Sequence, residues 1–276
     1  MAGRLSGKVA IITGASRGLG QYCALEYGKE GAIVAVAART ERETDPRMPG
    51  TIHETARMVS EAGGEGFPVV CNVADPASIE AMVRQVLDRY RRVDILMTNA
   101  GISPPGGIAT IQPKHWDLEW RINVHGTFHC IRAVLPAMQT QGSGSIITIS
   151  SVAARPDFGG HYGATKRAVE AMTIGLAGEL KDQGIAVNAL KPVSRIETPG
   201  MHVIRPAGAP AEPDPTIPPK DGYVEAAVLL ALQTPATCTG GVFYDNEAID
   251  QLADKATKAR LAFVYDPARY SQSPRR

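Results

Sequence analysis

The sequence predicts an α/β fold, a doubly wound and mainly parallel sheet of seven strands with helices on both faces. Three observations carry that expectation. Seven short runs rich in β-branched and apolar residues punctuate the chain, the stretches between them have helical spacing, and a glycine-rich turn follows the first run directly. Such alternation makes a parallel sheet that is buried on both faces. A chain of 276 residues suffices for one domain of this kind, expected over residues 1–250 and followed by a charged tail over 251–276.

Taken in order, the first run, KVAIIT (8–13), leads into TGASRGLG (13–20), with glycines at 14, 18 and 20. Glycines at a strand-to-helix turn let the backbone approach a pyrophosphate, whose charge then meets the amides and positive dipole of the helix N-terminus. No Gly-Lys-Ser or Gly-Lys-Thr follows, which disfavours a nucleoside-triphosphate loop. The second run, AIVAVAA (32–38), ends at Ala38 and Arg39, where an acidic residue would accept from an adenosine 2′-hydroxyl. With Arg17 in the glycine loop and no carboxylate at the strand end, two guanidiniums suit a 2′-phosphate. The pattern therefore favours NADP, with NAD as the alternative if Arg39 is only a solvated surface charge. The polar, turn-rich segment 40–50 lengthens the next crossover.

The third, fourth and fifth runs are FPVVC (67–71), VDILMT (93–98) and SIITIS (145–150), and the sixth and seventh are IAVNAL (185–190) and GVFYD (241–245). Between the sixth and seventh lies a segment, 192–219, with eight prolines. They deny it a long helix, and its place beyond the carboxyl end of a strand makes it a candidate substrate cover, bounded at about residue 220.

Composition narrows the partners. Twenty-nine basic against 28 acidic residues leave a net charge of +1, so nothing electrostatic points to nucleic acid or an anionic membrane. A small-molecule ligand is the expectation. The four cysteines, Cys23, Cys71, Cys130 and Cys238, form no C-x-x-C pair and read as small buried residues of a reducing compartment. No apolar run is long enough to span a bilayer, and a cytoplasmic location is expected. His125 and His129 have the spacing of two metal ligands on a helix, but no third ligand is evident and no metal is expected. His161 is expected at a pocket mouth or, more simply, as a partly exposed residue starting a helix.

Five short motifs now stand in one order: TGASRGLG, TNAG (98–101), Asn123 within RINVHGTF, the serines that end SIITISS, and YGATK (162–166). In that order they resemble the short-chain dehydrogenase/reductase family, over nearly the whole chain. GTIHETA, VNALKP and TGGVFYDNE are more faintly similar to its hydroxysteroid-dehydrogenase-like branch. The resemblance implies a Rossmann fold with NAD(P) across the carboxyl edge of the sheet. It also implies a catalytic set at Asn123, Ser151, Tyr162 and Lys166, with Ser150 as the alternative serine. Cofactor contacts are implied at Gly14, Ser16, Arg17, Gly18, Leu19, Gly20, Ala38, Arg39, Asn72, Val73, Asn99, Ala100, Gly101, Tyr162, Lys166, Pro192, Val193 and Thr198. Lys166 would bind the nicotinamide ribose, and Asn123 a water that returns protons to Lys166.

Physical chemistry explains these residue types. Tyr162 and Lys166 are four apart and share a helix face. An ammonium about 5 Å away at an effective dielectric of about 20 stabilises a phenolate by roughly 3 kcal/mol, about two pKa units below the usual value of about 10. Tyr162 would then exchange a proton with the substrate oxygen while Ser151 donates a hydrogen bond to it.

Three positions depart from the family pattern. Ser151 and Tyr162 are unusually close in sequence, Asn72 stands where an aspartate would hold the adenine amino group, and Pro192-Val193 replaces Pro-Gly. The expected reaction is hydride transfer between NADP and a secondary alcohol or ketone; the alternatives are reduction of a 3-oxoacyl thioester or a cofactor-binding regulatory role. Small residues at 164, 168, 171, 175 and 178, on a helix expected from 161 to about 182, imply close packing in a homodimer or homotetramer.

Overall fold

A run such as VAIIT, apolar at four positions and closed by a β-branched threonine, suits a strand with both faces covered. In the computed structural model, which describes residues 2–194, 196–200 and 220–262, it forms β1 (Val9–Thr13), buried throughout. The other strands are β2 (Ile33–Ala38), β3 (Glu65–Val70), β4 (Ile95–Thr98), β5 (Gly144–Ile149), β6 (Ile185–Lys191) and β7 (Val242–Tyr244). All seven fall on the expected runs with ends moved by a residue or two. Their spatial order is β3-β2-β1-β4-β5-β6-β7, and every pairing is parallel.

The helices are α1 (Gly18–Lys29), α2 (Ile52–Glu61), α3 (Pro76–Tyr90), α4 (Pro113–Trp120), α5 (Gly126–Gln141), α6 (His161–Leu180), α7 (Asp221–Ala231), α8 (Asp245–Leu252) and α9 (Lys255–Leu261). Alternation along β1 splits the core in two. Ala10 and Ile12 join the side chains of α1, α2, α7 and α8, while Val9 and Ile11 join those of α3, α5 and α6 on the other face.

The strand order positions the site. After β1 the chain builds outward through β2 and β3, then returns to place β4 on the opposite side of β1. The carboxyl ends of β1 and β4 thus flank a topological switch point, the crevice where open α/β sheets bind ligands. TGASRGLG leaves one side of it and TNAG the other.

The tail behaves differently from its charged composition. Leu261 of α9 is buried in the core, and Arg260 donates to Glu225 on α7 at 2.8 Å, so the chain stays packed well past residue 250. Most of the proline-rich cover and residues 263–276 lie outside the described residues. Among the described residues no helix is long and apolar enough to cross a membrane, and no group of three or more His, Cys, Asp or Glu side chains could hold a metal ion.

Candidate active site

The glycine loop is a cradle that side chains would fill. Gly14 and Gly18 have φ of +67° and +60°, in the left-handed region. A Cβ on Gly14 would sit 2.8 Å from Ala100 Cα, and one on Gly20 would sit 2.5 Å from Asn99 Nδ2 and 2.6 Å from Gly14 O. Arg17 is the N-cap of α1 and gives no side-chain cap. The first-turn amides, at Gly18, Leu19 and Gly20, therefore have no capping acceptor, and they suit the pyrophosphate of a dinucleotide. Ser16 is buried beneath them, its carbonyl pressed by Gly50.

At the adenosine end the two arginines differ. Arg17 donates from Nε to Pro49 O at 3.0 Å and from Nη2 to Gly50 O at 2.9 Å, buckling the long crossover onto the glycine loop. Gly50 accepts this approach at φ +105°, and its amide donates to Glu43 at 2.7 Å. Neither Gly50 nor Glu43 was legible as a site residue, because segment 40–50 reads only as polar. Arg39 is exposed just past Ala38, close enough to Arg17 for the two cations to repel, and lines a cleft of about 620 Å³ with Thr40, Glu41, Arg42, Thr44 and His53. Asn72, past β3, spends its side-chain oxygen on Ala74 N at 3.2 Å, and Val73 lies over Gly126.

In the centre, Asn99 donates to Thr13 O at 2.9 Å and Gly14 O at 3.2 Å, tying β4 to β1. Asn123 is buried in a π-helical turn, Arg121–His125, between α4 and α5. Such an insertion is uncommon and re-aims a side chain. Asn123 Nδ2 donates to Ile102 O at 2.9 Å and Thr165 Oγ1 at 3.1 Å, while its Oδ1 accepts from Ile102 N at 2.9 Å. A Cβ on Gly101 would meet Asn123 Oδ1 at 3.3 Å and Lys166 Nζ at 3.5 Å. Three separate motifs therefore converge on one point.

The short connection 152–160 also closes on this point. Ser151 caps a 3₁₀ turn, Val152–Ala154, by accepting from Ala153 N at 3.2 Å, and its hydroxyl lies near enough to Tyr162 to favour the phenolate. Arg167, one residue beyond Lys166, holds the loop folded by donating to the carbonyls of Ala154, Arg155 and Phe158. That clamp went unrecognised in the sequence, where Arg167 looks like an ordinary helix-surface charge. Ser150 turns away and donates to Glu170 at 2.6 Å, and Glu170 also meets Lys191 at 3.1 Å.

The electrostatics correct one expectation. Burial pushes the Tyr162 phenol up to about 12, with the Ser151 hydrogen bond opposing it, rather than about two units below 10. Burial likewise brings Lys166 down to about 8. Its Nζ donates to Ile149 O at 2.7 Å and lies 5.6 Å from the centroid of the Tyr162 ring. A surface-like dielectric is wrong for the pair, because Lys166 is buried and Tyr162 half-buried beside it.

Beyond β6, Val193 N donates to Asp245 Oδ1 at 2.7 Å, which fixes the rebuilt Pro192-Val193 turn to the start of α8. Thr198 packs on the glycine loop, its Cβ 3.3 Å from where a Gly18 Cβ would lie. His161 is neither exposed nor at a pocket mouth: it is buried, 2.6 Å from Glu119 and 3.0 Å from Gly106 O. Glu119, on a short helix where polar and apolar residues are mixed, gave no signal of its burial in the sequence.

Known proteins share this fold. The family model described as short chain dehydrogenase matches residues 8–207. The 3-oxoacyl-[acyl-carrier-protein] reductase FabG of Staphylococcus aureus is 35% identical over 187 residues, covering 67% of this chain and 73% of that protein. Hydroxysteroid dehydrogenase-like protein 2 of Xenopus laevis is 32% identical over 253 residues, 90% of this chain but 59% of the relative. A short chain dehydrogenase structure from Mycobacterium thermoresistibile superposes with a TM-score of 0.80 at 28% identity, covering 91% of this chain and 89% of that one. With the sheet order, the glycine cradle and the convergence of the TNAG, Asn123 and YGATK motifs, these matches make the chain an oxidoreductase of the short-chain dehydrogenase family.

Proposed function

We propose that the protein is an NADP-dependent reductase of ketones, or dehydrogenase of the corresponding secondary alcohols, with Tyr162 as the general acid and base. The observation that carries this reading is the convergence of buried Asn123 and Lys166 with half-buried Ser151 and Tyr162 beside a glycine cradle at the carboxyl edge of the sheet. Bound across that edge, the dinucleotide supplies a hydride to the carbonyl carbon or takes one from the alcohol. Tyr162 delivers the proton to the carbonyl oxygen, and Ser151, beside it, donates to the same oxygen. A lysine brought to about 8 by burial exchanges protons readily near neutrality, which suits Lys166 for reprotonating the tyrosine. Asn123 supports the relay by fixing Ile102 from both of its backbone groups.

NADP over NAD rests on Arg39, the exposed guanidinium directly after β2, with Arg42 and His53 lining the same cleft; Glu41 lines it too, 3.7 Å from His53, but the strand end itself, Ala38-Arg39, carries no carboxylate to read a 2′-hydroxyl. Arg17, held by two backbone carbonyls, is the lesser contributor. The similarity to the acyl-carrier-protein reductase favours a second reading, reduction of a 3-oxoacyl thioester by the same residues. Exposed Phe128 and Ile174, with Ala171, Gly175 and Gly178 open on the same long helix as Ile174, support a homodimer or homotetramer through α5 and α6.

The test is NADPH oxidation followed spectrophotometrically with cyclic ketones, aryl ketones and acetoacetyl thioesters. Ketone turnover is expected to exceed thioester turnover. If NADPH binds, nothing is reduced, and Tyr162→Phe changes nothing measurable, the reading is lost and a regulatory cofactor-binding protein replaces it.

A further inference from the structure

Glu119 and His161 form a buried pair to which the reaction above gives no part. Glu119 stands in the last turn of α4 with no exposed surface, and His161 opens α6 immediately before Tyr162. His161 Nδ1 lies 2.6 Å from Glu119 Oε2, and Nε2 lies 3.0 Å from the carbonyl oxygen of Gly106. A carbonyl only accepts, so Nε2 carries a hydrogen, and the remaining proton lies between Nδ1 and Oε2. Glu119 Oε1 is buried without a hydrogen-bond partner among the described residues. The pair therefore holds one exchangeable proton, and losing it leaves a carboxylate facing a neutral imidazole inside the protein.

The surroundings give that proton leverage. Gly106, at φ +116°, lies in the loop that leaves β4 after TNAG and ends at α4. Asn123 holds one end of this loop through Ile102, and His161 holds its middle. Residues 102–112 contribute no ionisable group. From α6 the pair faces Tyr162 and Lys166, both within reach of the Glu119 charge. Arg121 and His125 of the π-helical turn are exposed, and α4 itself adds Lys114, His115 and Asp117.

We propose that the Glu119–His161 pair is a positioning device for the reaction: it anchors the loop over the substrate side through Gly106, and its charge biases Tyr162 toward the protonated phenol. The proposal rests on Tyr162 as the acid and base. Once the pair loses its proton, its net negative charge favours phenol over phenolate and ammonium over amine. Burial holds the Glu119 carboxyl above its usual range, with the His161 hydrogen bond opposing. For His161 burial opposes the charge, but the hydrogen bonds to Glu119 and Gly106 outweigh it and raise the imidazole above its ordinary value of 6.5.

Glu119→Gln keeps the shape and a hydrogen bond to His161 but removes the carboxylate. The alkaline limb of kcat/KM for ketone reduction is expected to move to lower pH in this variant. His161→Ala frees Gly106 and should raise the ketone KM about two- to tenfold, the scale of one lost hydrogen bond, with the Kd for NADPH unchanged. Profiles of Glu119→Gln and wild type that superimpose, with an unchanged KM in His161→Ala, overturn the proposal. A readout without turnover separates this from the reaction itself: in ¹⁵N-histidine spectra, the resonance missing from His161→Ala should titrate above 6.5 in wild type and lower in Glu119→Gln. A titration that Glu119→Gln leaves in place overturns the pairing even if reduction proceeds, whereas wild-type protein that reduces nothing yet shows the shifted titration overturns the reductase reading and leaves the pairing standing.

Discussion

At residues 13–20 the fit for a phosphate rests on backbone, two glycines at positive φ and a third that no Cβ can replace without meeting Asn99 at 2.5 Å. At residues 151–166 it rests on side chains withdrawn from water, a phenol raised to about 12 beside an ammonium lowered to about 8. The first region tolerates little change in shape and is indifferent to pH. The second has ordinary helix geometry but an electrostatic state set by its surroundings. Binding is thus fixed locally by conformation, and proton transfer is fixed by everything packed around α6.

The largest effect expected from breaking this contrast is on the proton side. Tyr162→Phe removes the hydroxyl that transfers the proton and should lower kcat/KM for ketone reduction by about 10²–10⁴-fold, while fluorescence titration finds NADPH affinity unchanged. A comparable loss of NADPH binding would mean the two regions are not separable. On the binding side, Arg39→Asp places a carboxylate where a 2′-phosphate is expected, and the Kd for NADPH should rise about 10- to 100-fold, the scale of a lost charge-assisted contact, with NADH binding equal or improved. An unchanged cofactor preference would demote Arg39 to a surface charge.

The same contrast governs what the sequence made legible. All seven strands and the cradle could be read because they follow from local rules, periodicity for the strands and glycine conformation for the loop. Asn99 and Asn123 were placed through motif order. The buried charges were not: Glu119 sits in a short helix among Asp117, Leu118 and Trp120, where nothing in the spacing marks it as inward, and Arg167 owes its role to three carbonyls of a loop nine to 13 positions away. The error over Tyr162 has the same origin, since a pairwise Coulomb argument needs a dielectric and only burial supplies it.

Burying Lys166 also makes a stability prediction of smaller size. Its folded value of about 8 lies below the unfolded 10.5, so between those values the unfolded chain binds more protons and stability rises with pH. Below about 8 the full penalty applies, on the order of 3 kcal/mol. Lys166→Met removes that penalty but leaves Ile149 O without its donor, so a net gain of about 1–2 kcal/mol at pH 7 is expected. Urea midpoints between pH 7 and 10.5 should rise in wild type and stay flatter in the variant. A variant less stable at pH 7 would mean that the ammonium is better solvated than its burial implies.

The smallest effect belongs to the adenine end, where backbone and side chain share the work. Asn72 already gives its side-chain oxygen to Ala74 N, and its own amide bonds Ser78 at 3.0 Å, so the turn before α3 is held whichever of Asn or Asp stands there. Asn72→Asp preserves that turn and adds a charge that strengthens any bond to an exocyclic amine. Two factors limit the gain. The oxygen is shared with Ala74, and Asp75, the N-cap of α3, is three residues away and adds like charge. A two- to threefold fall in the NADPH Kd is therefore about the most expected, well under the 1.4 kcal/mol of a tenfold change. Isothermal titration against NADPH and against an analogue lacking the adenine amino group would measure it, and equal gains with both ligands would place the effect in the turn instead of in adenine recognition.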